Sequence, residues 1–191
     1  MLLLFSSPEK VPDEALLLNR MLERHPGLLF HLRKPTWELP AVEQLLQEID
    51  SAFHPRIVIH QHHGLDDRYT LKGVHFTTHH RETEPLHPRV VSTSFHSLAE
   101  AAAMGEAYSY FCCSPVFESI SKSGYTGSES WDISALPDAL REKAVALGGI
   151  DNTTLPAARD KGFRHFAVLG AVWQAADPEA ALDMLYHLSG D

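Results

Sequence analysis

Histidine is the over-represented reactive residue here, thirteen in 191, and several fall where apolar runs end. In chain order those ends read His31-Leu32-Arg33-Lys34, His60-Gln61-His62-His63, His75, Ser94-Phe95-His96, the polar stretch carrying Ser119, Ser121 and Lys122, then Gly148-Gly149 and Gly170-Ala171. Imidazole titrates near neutral pH and can take up or release a proton. Arg33 offers a planar fork and Lys122 a point charge for an anion, with Lys34 beside Arg33. Gly149 and Gly170 would bare backbone N–H groups for a phosphate. Basic and hydroxyl groups converging in an otherwise acidic chain (net charge −9) suit an anionic small molecule, most simply a phosphate ester.

The elements that must position these groups are short and repetitive. Leu2–Phe5, Leu28–Arg33, Arg56–His60, Leu71–Phe76, Val90–Ser94, Tyr108–Cys113 and the two runs ending at Gly148-Gly149 and Leu169-Gly170 read as eight strands. They are continuous apolar runs rather than alternating ones, which means burial on both faces, as in a parallel sheet covered by helices. Helical spacing appears after Asp13, over Ala41–Ile49, after Ser97 with Glu100 in capping-box position, over Ile133–Glu142, between the last two strands and over Glu179–Leu188. Thr77–Arg89 has no helical pattern. Eight such repeats predict an α/β fold, a single compact (β/α)₈ TIM barrel over 1–191 with its fourth helix reduced to a loop; a doubly wound open sheet is the alternative.

Composition narrows the function further. No apolar run of about 18 residues exists, so no membrane partner is expected, and Met1–Phe5 reads as a strand rather than a leader. The acidic balance argues against nucleic acid. Two adjacent cysteines, Cys112 and Cys113, cannot make a disulfide framework and read as inert strand residues in a reduced, cytoplasmic protein. The His62-His63 and His79-His80 pairs lie in polar loops without an acidic or thiol partner at ligand spacing, so no metal is assigned to them.

The order HLRK (31–34), GVHF (73–76), SFHS (94–97), SPVFESISKSGY (114–125), LGGI (147–150) and AVLGAV (167–172) resembles the thiamine phosphate synthase/TenI family, whose members show QLREK, GVHLGQ-D, SVH, GPVF-T-TK, GGI and AVVSAI in that order. The resemblance runs from Leu28 to Trp173 and implies a small (β/α)₈ barrel. It implies that a thiazole phosphate is held at Gly149, at Gly170 with Ala171, and by Ser119 and Ser121, while Arg33 and Lys122 face phosphate or diphosphate and Ser94 matches the serine of SVH.

The departures lie on the metal side. The family draws magnesium ligands from an N-D pair and from the last Asp of GVHLGQ-D; here those places hold His60-Gln61 and His80. Magnesium prefers hard oxygen donors. His31 replaces the Gln of QLREK, and Pro35 falls at its lysine. The TenI catalytic histidine corresponds to Pro115. The expected function is therefore a metal-independent, TenI-like thiazole tautomerase without a cofactor, in which His31, then His60, then His96 moves the proton. The alternatives are a divergent, magnesium-dependent thiamine phosphate synthase and a non-catalytic binder. The expected partner is a thiazole phosphate or thiamine phosphate, with homo-oligomer formation left open.

Overall fold

The computed structural model describes residues 1–84, 87–117 and 131–190. In chain order the elements are β1 (Leu2–Phe5), α1 (Glu14–Arg24), β2 (Leu29–Leu32), α2 (Leu39–Glu48), β3 (Ile57–Ile59), α3 (Leu65–Tyr69), β4 (Gly73–Phe76), α4 (Thr78–Thr83), β5 (Val90–Phe95), α5 (Leu98–Met104), β6 (Tyr110–Cys113), α6 (Asp138–Arg141), β7 (Ala144–Leu147), α7 (Leu155–Asp160), β8 (His165–Val168), α8 (Gly170–Trp173) and α9 (Pro178–Ser189). The eight strands pair in parallel, each with its sequence neighbours, and β8 closes on β1. The expected (β/α)₈ barrel is therefore the observed one. Among the described residues no helix is long and apolar enough to cross a membrane.

Alternate strand residues face opposite ways and make two separate cores. Leu2, Leu4, Phe30, Leu32, Ile57, Ile59, Phe111, Ala144, Ala146, Phe166 and Val168 pack outward against the helices. Leu3, Phe5, Leu29, Tyr110, Cys112, Val145 and Ala167 pack inward. Strand registers such as Phe5↔His31↔Val58 and His75↔Ser92↔Tyr110 step by about one residue per strand, which stacks inward side chains in layers drawn from alternate strands. From the floor upward, Leu29 and Tyr110 lie below Leu3, Val58, Ser92 and Val145. Above these come His31, His75, Cys112 and Ala167, then Phe5, His60, Ser94 and Leu147 under the C-terminal mouth. The strands β1, β7 and β8 line the interior with apolar groups; β2 to β5 line it with imidazoles and hydroxyls.

Several local readings change. The stretch after β4 is a short helix rather than a loop. Thr77 caps it by accepting from the His80 amide at 3.3 Å, and the His80 ring accepts in return from the Thr77 amide, also at 3.3 Å. This is a capping box with histidine in the place of Glu or Gln. Asp13 adopts φ 54° and makes no side-chain cap, so α1 starts without one. Its buried stripe is Ala15, Leu18, Met21 and Leu22, while Leu16 is 54% exposed. Pro137 divides the expected Ile133–Glu142 helix into a 3₁₀ turn (Ile133–Ala135) and α6, because proline supplies no amide to continue the ladder. Ser97 does cap α5, accepting from the Glu100 amide at 3.2 Å.

Candidate functional site

The polar side of the interior is an array of two hydrogen-bonded groups, His60–His31–Tyr110 and Ser92–His75–Ser94. His31 Nδ1 lies 2.9 Å from His60 Nε2, and His31 Nε2 lies 2.8 Å from the Tyr110 hydroxyl. Tyr110 and Ser92 are register neighbours on β6 and β5. Ser92 Oγ meets His75 Nδ1 at 2.8 Å, and His75 Nε2 meets Ser94 Oγ at 3.1 Å. The Phe5 ring stacks on His31 with centroids 4.5 Å apart, and the His60 and His75 rings stack at 4.1 Å. All three imidazoles are buried, and the Nδ1 atom of His60 has no partner.

Burial fixes the charge state of this array. Loss of solvent pushes His31 down to about 3. It pushes His60 and His75 well below the ordinary histidine value, and their mutual repulsion and the nearby Arg33 guanidinium act in the same direction. Three neutral rings result at neutral pH. Burial likewise raises the Tyr110 phenol and pushes Cys112 up to about 12, so the thiol is inert as the sequence suggests.

The mouth above the array is cationic. Arg33 follows β2 and is half-buried; among the described residues its guanidinium makes no hydrogen bond or ion pair. Arg81, on α4, donates to Thr93 Oγ1, to the Ser94 carbonyl at 2.9 Å and to Thr78 Oγ1 at 3.3 Å, and lies over the Phe95 ring. On the β7–β8 side, Gly149 holds φ 65°, a left-handed conformation suited to glycine. Its carbonyl accepts from Thr154 Oγ1 at 2.6 Å. The amides of Gly149, Gly170 and Ala171 donate to nothing among the described residues.

Arg33, Ser94, His31, His60, Gly149, Gly170 and Ala171 therefore share one end of the barrel, although His31 lies a layer beneath Phe5 and His60. Lys34 does not share it. Its ammonium is buried against Glu14 Oε2 at 2.7 Å and the Glu9 carbonyl at 2.9 Å, over the Trp37 ring. As neighbours in an extended segment, Arg33 and Lys34 face opposite ways, so only Arg33 reaches the mouth. His96 is exposed, with Nδ1 2.8 Å from the Ser114 carbonyl on the outer rim. Ser119, Ser121 and Lys122 lie outside the described residues. Tyr110, Ser92 and Arg81 were missed as site residues, and His75 was singled out as a strand end but given no role. The signal for Tyr110, Ser92 and His75 was the period-two alternation of their strands, which points them inward with His31 and His60.

Magnesium does not fit this donor set. Nitrogen atoms of His31, His60 and His75 lie within 4.8 Å of one another, but the group contains no carboxylate. Three imidazoles would suit a borderline transition ion. Tetrahedral zinc with bonds of 2.0–2.1 Å, however, would hold its nitrogens about 3.3 Å apart. The 2.9 Å spacing of His31 and His60 is that of a shared proton, and Arg33 adds repulsion. The His63 and His80 rings approach Glu84 at 3.6 and 3.9 Å outside the array.

Comparison with known proteins bears on the family and the fold. Residues 15–172 match the family described as thiamine monophosphate synthase. The thiamine-phosphate synthase of Mycolicibacterium gilvum is 37% identical over 106 residues, 51% of this chain and 42% of that protein. That of Synechococcus sp. (strain WH7803) is 30% identical over 145 residues, 68% of this chain and 41% of that protein. The chain thus spans about two fifths of the length of these curated relatives. Among solved structures, thiamine phosphate pyrophosphorylase from Bacteroides thetaiotaomicron superposes with a TM-score of 0.74 at 28% identity, covering 98% of this chain and 94% of that one. The Pyrococcus furiosus protein of the same name has a TM-score of 0.74 at 16% identity and covers 99% and 95%, a likeness of fold.

Proposed function

The chain belongs to the thiamine monophosphate synthase family, and we propose that within it this barrel is an enzyme of thiamine biosynthesis that binds a thiazole phosphate and moves a proton on it. One observation carries the reading: bare amides at Gly149, Gly170 and Ala171 face, across the same mouth, a layer of neutral imidazole and hydroxyl groups without a carboxylate. The amides and Arg33 hold the phosphate by charge-assisted hydrogen bonds. The ring then rests on the layer formed by Phe5, His60, Ser94 and Leu147. His60 is the proton acceptor there, because it lies in that layer and its Nδ1 has no hydrogen-bond partner, whereas His31 lies beneath it and acts through it. His96, exposed on the rim, has no part in this reading.

The names of the relatives favour a second reading, condensation of the thiazole phosphate with a pyrimidine diphosphate to give thiamine phosphate. Arg33 and Arg81, with Lys122, would then take the charge of the departing diphosphate. The donor set gives no place for magnesium, so no step is routed through it.

One assay separates the two. The carboxylated thiazole phosphate is incubated with the protein in EDTA and its isomerisation followed; in parallel, pyrophosphate release from thiazole phosphate plus pyrimidine diphosphate is measured with and without magnesium. Isomerisation in EDTA, falling about 10²-fold or more in His60→Gln with phosphate binding retained by calorimetry, is expected. Magnesium-dependent pyrophosphate release without isomerisation would replace this reading with the second.

A further inference from the structure

Of the six side chains in the two hydrogen-bonded groups, five belong to buried residues, and Ser94 alone is partly exposed to the mouth. The direction of its hydroxyl follows from hydrogen-bond accounting. Ser92 is fully buried, and among the described residues the hydrogen bond its hydroxyl makes is to His75 Nδ1, at 2.8 Å. A buried O–H left without an acceptor is costly, so Ser92 donates to Nδ1. Burial, with the nearby His31 and Arg81, holds His75 neutral. A neutral imidazole carries one N–H, and here it must be on Nε2, 3.1 Å from Ser94 Oγ. Ser94 therefore accepts from His75, and its own O–H is left for whatever arrives at the mouth. Arg81 fixes the same residue through its backbone. The guanidinium donates to the Ser94 carbonyl at 2.9 Å, to Thr93 Oγ1 and to Thr78 Oγ1 at 3.3 Å, and it lies over the Phe95 ring. Thr93 donates in turn to the Phe76 carbonyl at 2.6 Å. One planar fork thus ties the first turn of α4 to the ends of β4 and β5, which a lysine point charge could not do.

We propose that Ser92 and Arg81 are positioning residues that present the Ser94 hydroxyl to substrate as a hydrogen-bond donor, making the site selective for a ligand with an acceptor atom at that place. The inference deepens the reading above, on which it rests for the identity of the ligand. A thiazole phosphate anchored at the bare amides of Gly149, Gly170 and Ala171 offers two such acceptors, the ring nitrogen and, where present, the ring carboxylate. A ligand that turns an N–H or a methyl group toward β5 meets a donor there and forfeits the bond. Ser92, one layer below and buried, does not touch substrate; it acts by deciding which nitrogen of His75 carries the proton. Were that proton on Nδ1, Ser94 would give its own proton to Nε2 and offer substrate only lone pairs.

The experiment combines imidazole ¹⁵N shifts with a binding cycle, both on the full chain. At neutral pH His75 should be protonated at Nε2 and bare at Nδ1. Ser92→Ala should raise the share of the form protonated at Nδ1, and Ser92→Thr, which keeps the hydroxyl, should restore the wild-type ring. Calorimetry with the carboxylated thiazole phosphate should show binding about tenfold weaker in Ser94→Ala and about fivefold weaker in Ser92→Ala and in Arg81→Lys. Neither of the last two changes should weaken binding further in a Ser94→Ala background, because both act through that hydroxyl. The thiazole phosphate without the carboxylate locates the acceptor: an equal loss in Ser94→Ala assigns it to the ring nitrogen, and a loss confined to the carboxylated ligand assigns it to the carboxylate. His75 protonated at Nδ1 in the wild type, no loss in Ser94→Ala with either ligand, or fully additive losses in the double variants overturns the proposal. Wild type that gives the expected cycle but isomerises nothing overturns the isomerase reading and leaves the positioning standing; failure to bind either thiazole phosphate overturns both.

Discussion

Acid should unfold this barrel at a pH where most proteins of its size are still intact, and the three buried histidines set the amount. A histidine held at about 3 in the folded state and near 6.5 when unfolded contributes stability that is fully present above 6.5 and is lost as pH falls toward 3. For His31 the full shift corresponds to roughly 5 kcal/mol, of which about 2 kcal/mol is already lost at pH 5. His60 and His75, and with them the partly buried His63, are lowered from the same side and add to the loss. Glu14 and Asp66 oppose it: burial raises both, so protonation favours the folded state. Glu43, Asp132 and Asp151 are lowered from values already below pH 5 and do not contribute between 6.5 and 5. Urea unfolding midpoints at half-unit steps from pH 7.5 to 5 measure the total, and His31→Asn isolates one ring. The wild type should lose stability steeply below pH 6.5. The variant, less stable at pH 7.5 because it leaves Tyr110 and His60 short of a partner, should have a slope shallower by about one proton. About 2 kcal/mol is roughly a 4–8 °C fall in Tm for a chain this long. Equal slopes in the two proteins, or a wild-type stability flat from pH 7 to 5, would refute the claim that these rings are neutral in the folded state.

Two further outcomes test the rest of the site. Lys34→Met should destabilise the chain by about 3–5 kcal/mol, because it leaves the buried Glu14 carboxylate without its cation; equilibrium denaturation reads this, and where the variant is folded its affinity for thiazole phosphate should match the wild type. A tenfold loss of that affinity in folded protein would return Lys34 to the phosphate site. Gly149→Val forces a β-branched residue into a left-handed conformation, costing about 1–3 kcal/mol, and places its side chain over the bare amides. Calorimetry with thiazole phosphate should show at least a tenfold loss of affinity, and an unchanged constant would place the anion elsewhere.

The barrel was legible because eight continuous apolar runs leave few alternatives: strands such as Leu2–Phe5 and Ile57–Ile59 are buried on both faces, and only helices on the outside with a closed interior can bury both. The glycine-ended edge was legible for a related reason, since Gly149 and Gly170 close the apolar runs of β7 and β8. What stayed hidden was depth. His31, Arg33 and Lys34 look alike as polar residues closing a strand. One alternation sends Lys34 outward to Glu14 on α1, a partner twenty residues back. A whole layer, that of Phe5, His60, Ser94 and Leu147, separates His31 from Arg33, enough to make the first a buried neutral ring and the second a free cation at the mouth. The α4 helix was hidden because its cap uses His80, a residue whose capping ability depends on the tautomer it adopts.

The same depth explains why an interior this polar is tolerated. A barrel core of this size is normally filled by branched aliphatic side chains, and each buried imidazole left unpaired would cost several kcal/mol. Here Ser92, Ser94 and Tyr110 satisfy His75 and His31, leaving one exception, Nδ1 of His60. Packing alone would remove that exception most simply with a leucine, as on β1 and β2, where Leu3 and Leu29 fill inward positions. The orphan nitrogen sits in the uppermost packed layer, beneath the only unpaired guanidinium at the mouth among the described residues, Arg33. The rings are thus satisfied everywhere except at that nitrogen, and the stability the barrel gives up below pH 6.5 is the measurable sign that all three are held neutral.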